Sequence, residues 1–187
     1  MANQADNACD IWIAMIRAGW AVPRAYMLRW IARSASTEVG KELLSLLMEH
    51  GIEIGDQAAF ATLYSKKFEL LDYSLTLHTP NEDRWRWEML NYAASLGSDG
   101  TKYVELLFRH GVDCINWRDP DKRESMPMHR DDRVPRRTPL HSAAQVGPPE
   151  LVERLIKHGA EPFNDYFSMT ALDLAKSEGK ADVVAVF

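Results

Sequence analysis

The chain is poor in the residues that usually announce chemistry. It has two cysteines in 187 residues, Cys9 and Cys114. They are too few and too far apart for a disulfide framework or a cysteine-based metal site. Their scarcity fits a reducing, intracellular compartment, cytoplasmic or nuclear. No apolar run approaches the roughly 18 residues that span a bilayer, so no membrane association is expected. The start of the chain lacks the basic run of a secretory leader: Asp6 and Asp10 stand there, and Arg17 interrupts the apolar stretch. A basic excess is missing too. The net charge is -5, which disfavours nucleic acid as a partner, because neutralising phosphates takes lysine and arginine. There is no glycine-rich phosphate loop, no zinc spacing and no serine elbow. The expectation is therefore no catalytic residue, no metal and no cofactor. What is present is ordinary: 46% hydrophobic and 26% charged residues, enough to build one folded domain over 1–187.

The informative feature is a period. "TPLHSAAQVGPPELVERL" from Thr138 is echoed by "TALDLAKSEGKADVVAVF" from Thr170, an offset of 32 residues. Thr138/Thr170, Leu140/Leu172, Ala143/Ala175 and Gly147/Gly179 fall in register. Thr138 is a candidate N-cap and Pro139 suits a first helical position. Gly147 is expected to end the helix in the left-handed region. Leu151, Val152, Leu155 and Ile156 form one apolar stripe on a return helix. Upstream, glycines that would end second helices stand at Gly19, Gly51, Gly111 and Gly159. The longest interval, 51 to 111, reads as two short repeats in preference to one repeat with a large insertion.

"TPLHSA" at 138–143 resembles the ankyrin repeat, whose pattern is T-P-L-H-x-A at a period of about 33. Motif carries the resemblance over 138–187, the helix pattern carries it over 87–111, and periodicity alone carries it before that. It implies an all-α fold, an ankyrin-repeat solenoid of stacked helix-turn-helix pairs. A capping helix is expected over about 8–19. Repeats are expected over about 24–51, 56–79, 87–111, 138–159 and 170–187. The N-terminal part is degenerate, and the arginine-rich segment 118–137 is an insertion between repeats.

The resemblance also implies roles. His141 would hold its turn by bonding to the threonine and nearby backbone. It would not act as a base beside Ser142, and the echo, with Asp173 and Leu174 at these positions, is expected to keep the turn without its polar chemistry. His50, His110 and His158 precede helix-ending glycines, and His78 has the same phase, so each is expected to face free carbonyls at a helix C-terminus. Binding would use another protein as partner, through the concave face and the loops 81–87, 112–137 and 161–169. Those loops hold Arg84, Trp85, Trp117, Arg118, His129, Asp131, Arg133, Tyr166 and Phe167, rich in the types that dominate binding hot spots. Trp87 is expected to pack at a helix start. An alternative is a small-molecule binder or enzyme in a groove under 118–137, with His129, Asp131 and Arg133 as its polar groups. The terminal helix carrying Val183, Val184 and Phe187 is expected to be uncapped, so that either the chain is a fragment of a longer array or another copy covers this end by self-association.

Overall fold

A computed structural model describes residues 4–20, 36–52, 54–116, 137–163 and 169–187, with side chains from Cys9 onward. All regular structure among them is helical. In chain order the helices are α1 (Gln4–Arg17), α2 (Thr37–Glu49), α3 (Asp56–Tyr64), α4 (Phe68–Leu77) and α5 (Asp83–Ala94). A 3-10 turn at Gly97–Asp99 leads into α6 (Gly100–Arg109). Then come α7 (Pro139–Val146), α8 (Pro149–Lys157), α9 (Ala171–Ser177) and α10 (Ala181–Val184). Four helices, α3 to α6, lie between Gly51 and Gly111. The first helix expected over 24–51 falls outside the described residues, as does the segment 118–136. The chain groups into two compact units, Met1–Trp85 and Arg86–Phe187.

In the first unit α1 lies against α2, and α2 and α3 against α4. Cys9, Ile13 and Ile16 recur at helical spacing on α1 and meet Leu43, Leu44 and Leu47 of α2 in one buried cluster. Cys9 is therefore a small core hydrophobe. Thr62 of α3 and Ser74 of α4 are buried polar groups that bond to each other at 3.1 Å. Each hydroxyl also bonds a carbonyl of its own helix, Ala59 and Leu71 respectively, at 2.8 Å, so both are satisfied.

In the second unit α7 packs against both α8 and α9. Ala143 and Ala144 are fully buried, and their small side chains leave room for that approach. Leu151, Val152 and Leu155 are buried as well. Each contributes about 1.5–3 kcal/mol by leaving water, more than the roughly 1 kcal/mol of a typical hydrogen bond. The stripe thus holds the pair together, and polar contacts set its register. Ile156 was expected in this stripe but is 37% exposed. At 100° per residue it falls past the edge of the arc that Leu151, Leu155 and Val152 span.

The glycines divide into two kinds. Gly19, Gly51, Gly111 and Gly159 have positive φ, as a helix-ending left-handed residue should. Gly147 does not: its φ is -81° and ψ 165°, an extended conformation open to any residue. Its reason is space. A Cβ there would lie 2.8 Å from the Ala143 carbonyl oxygen and 3.0 Å from Leu151 Cδ2. The expected terminal helix is also shorter than the sequence suggests. It stops at Val184, leaving Phe187 beyond it; Val183 is buried within its own unit, while Phe187 is exposed.

Gly147→Ala should lower stability by about 1–3 kcal/mol, the range for forcing extra volume into a filled site. Equilibrium urea unfolding checks this, and an unchanged midpoint would contradict the steric account.

Candidate functional site

The stretch Thr138–Gly147 decides whether the histidine and its hydroxyl neighbours are chemistry or scaffold. His141 is fully buried. The Thr138 backbone N–H donates to its Nδ1 at 3.2 Å, and the Thr138 hydroxyl lies 2.8 Å from the same nitrogen. An accepting Nδ1 leaves the proton on Nε2, which donates to the Met169 carbonyl at 3.1 Å. Ser142 turns away and donates to Asn91 Oδ1 at 2.7 Å. Both ring nitrogens are thus occupied, one by the His141 turn and the other by the turn that opens α9, and Ser142 is not bonded to the ring. This is not the geometry of a base activating a nucleophile, which needs the two within hydrogen-bond reach.

The turn at Thr170 repeats the arrangement with a different acceptor. Asp173 Oδ2 accepts from the Thr170 backbone N–H at 3.0 Å and from its hydroxyl at 2.7 Å, while the Asp173 N–H donates back to Thr170 Oγ1 at 3.1 Å. The echo thus keeps the turn, with Asp173 and Leu174 where His141 and Ser142 stand, and Asp173 supplies the acceptor that closes it. Thr-x-x-Asp is a capping box, and that signal stood in the sequence. The Thr170 backbone N–H, then its hydroxyl, hold the Asp173 carboxyl below the usual range.

The ankyrin repeat family model matches residues 136–165. This part of the chain is similar to an ankyrin repeat. Ankyrin repeats are in general protein–protein interaction modules. The repeat's connection is fastened from outside: Asn116 Nδ2 donates to the Gly159 carbonyl at 2.6 Å, and the Glu161 N–H donates to Asn116 Oδ1 at 2.9 Å. One amide so satisfies an orphan carbonyl and an orphan donor on a segment more than 40 residues away. Arg86 does related work at the preceding helix end, donating to the Gly111 carbonyl at 2.5 Å and pairing with Asp113.

Of the side chains expected to bind a partner, Arg84 and Trp85 are described. Trp117, Arg118, His129, Asp131, Arg133, Tyr166 and Phe167 lie outside the described residues, as does the proposed groove beneath 118–137. Arg84 and Trp85 are not on a loop. Helix α5 starts at Asp83, whose carboxylate suits a helix N-terminus. The charged run "NEDRWRW" disguised that start. The Trp85 ring meets Phe60 of α3 with centroids 5.6 Å apart and planes tilted by 56°. The Arg84 guanidinium lies 5.8 Å from the Trp85 centroid, within cation–π range. Tyr64, one helical turn beyond Phe60, is 64% exposed. Sequence reasoning missed Phe60 and Tyr64, although their i, i+4 spacing in "FATLY" was visible.

This patch is held in place by Asp56. Its carboxylate accepts from His78 Nε2 at 2.6 Å and from the backbone N–H groups of Asn81 and Glu82 at 3.3 and 3.1 Å. The chain between α4 and α5 is thereby tied to the first turn of α3. His78 turns to this carboxylate instead of capping its own helix. His50 does cap: its ring lies 2.9 Å from the Leu46 carbonyl. His158 stacks on Phe108, with ring centroids 3.9 Å apart.

No group of three or more His, Cys, Asp or Glu able to hold a metal occurs among the described residues. None of the described helices is long and apolar enough to cross a membrane.

The lowered Asp173 carboxyl sets a sign. A depressed folded value adds stability that is complete above about pH 4 and is lost as pH falls through the folded value. Asp173→Asn keeps a cap acceptor and removes the titration. Its urea midpoint should therefore fall less than the parent's between pH 6 and pH 2.5; parallel curves would contradict the assignment.

Proposed function

We propose that the whole chain is a protein-interaction scaffold of the ankyrin type, a stacked array of helix pairs with 118–137 inserted between two repeats and no catalysis of its own. The observation that carries this reading is the patch of Arg84, Trp85, Phe60 and Tyr64. Trp, Tyr and Arg contribute most of the binding energy at protein interfaces, because they bury large rigid surfaces and keep a polar handle. Here they lie together on two helices, fastened by the Asp56 carboxylate, so little ordering remains to be done on binding. The loops 112–137 and 161–169, with Trp117, Arg118, His129, Asp131, Arg133, Tyr166 and Phe167, extend the contact surface in this proposal. Another protein is the partner, and the protein works inside the cell.

The experiment is an affinity capture comparing the parent with Trp85→Ala, Tyr64→Ala and a variant in which residues 119–135 are replaced by a Gly-Asn turn. The two aromatic substitutions should each weaken capture of a shared partner by tenfold or more, in line with about 2 kcal/mol for a hot-spot side chain. Unfolding midpoints for Tyr64→Ala should stay near the parent's, since that ring is exposed. Undiminished capture by all three variants would overturn the proposed surface.

A further inference from the structure

A second feature lies in the Arg86–Phe187 unit. Helices α6 and α8 lie side by side, and between them runs an open groove of about 420 Å³ lined by Glu105, Phe108, Arg109, Arg154 and His158. The lining is not a random solvated face. Arg154 is already paired with Glu105 at 2.5 Å. Arg109 is exposed and, among the described residues, has neither an ion pair nor a hydrogen-bond acceptor. His158 departs from His50, which has the same place at a helix end. Its ring leaves its own carbonyls and lies flat on Phe108 at 3.9 Å, interplanar angle 19°. The imidazole is so fixed by stacking, and no described residue hydrogen-bonds its nitrogens.

We propose that this groove docks an acidic segment of a partner protein. A side-chain carboxylate is received by Arg109, with the His158 N–H as second donor and Arg154 on its flank. An apolar residue beside the carboxylate rests on the edge of Phe108. The charges select this occupant. Two arginines against one glutamate make the groove cationic in a chain of net charge -5. A guanidinium that no described residue pairs with, as at Arg109, matches a carboxylate bidentately. A polyanionic nucleic acid fits less well, since Glu105 repels a second phosphate and Arg154 is committed to it. The groove's openness suits an extended chain over a small enclosed ligand.

The test titrates the full chain, at low salt, with a heptapeptide of alternating Glu and Leu, followed by NMR at the His158 and Phe108 rings. Saturable shifts at both rings are expected. The same peptide with Gln for Glu should give none. Arg109→Gln should weaken binding of the Glu peptide by tenfold or more with the rest of the spectrum unchanged, while Trp85→Ala leaves it unaltered. This last result separates the groove from the aromatic patch. The proposal is overturned if the Glu peptide leaves both rings unshifted, if Arg109→Gln binds as tightly as the parent, or if the Gln peptide binds equally. It is also overturned if oligothymidylate, and not the Glu peptide, shifts these rings.

Discussion

One imidazole fixes two turns. His141 accepts from Thr138 at one nitrogen and donates to Met169 at the other, so the turn that opens α7 and the turn that opens α9 share a single buried ring. Apolar burial supplies the larger part of the energy, but it is indifferent to small slides of one helix on the next. A ring with one donor and one acceptor, both satisfied, tolerates one register. Any slide leaves a buried nitrogen or a buried N–H unsatisfied, at about 1–3 kcal/mol each. The packing of Ala143 and Ala144, the tight fit at Gly147 and the Ser142–Asn91 bond all presuppose that register.

The same principle recurs with other side chains. Asp173 closes the Thr170 turn, Asp56 collects two backbone N–H groups and His78, Asn116 bridges to Gly159 and Glu161, and Arg86 takes the Gly111 carbonyl. Each satisfies backbone groups that helix ends and connections leave without intrahelical partners. Connections fastened this way hold shape without secondary structure of their own.

The helices were legible because their determinants are local. Threonine with proline one residue on, a run of alanines, an apolar arc and a left-handed glycine place α7 and α8 without reference to anything distant. The ankyrin pattern was legible for the same reason. What the chain concealed depends on neighbours far along the sequence. Gly147 looks like its left-handed counterparts, yet is required by Leu151 and the Ala143 carbonyl. The charged start of α5 reads as loop until Asp56, 25 or more residues upstream, is seen holding it. His158 and His50 share one sequence context, and only the facing Phe108 separates their roles. Arg84 and Trp85 were singled out by residue type, but their partner Phe60 was not, since nothing local relates residues that far apart.

The account stands on the His141 ring being a neutral, doubly bonded structural element. The direct measurement is nitrogen-15 NMR of the imidazole in the folded protein. The prediction is a single tautomer, protonated at Nε2 and bare at Nδ1, with a slowly exchanging proton. A proton found on Nδ1, or tautomers that exchange freely, would contradict it.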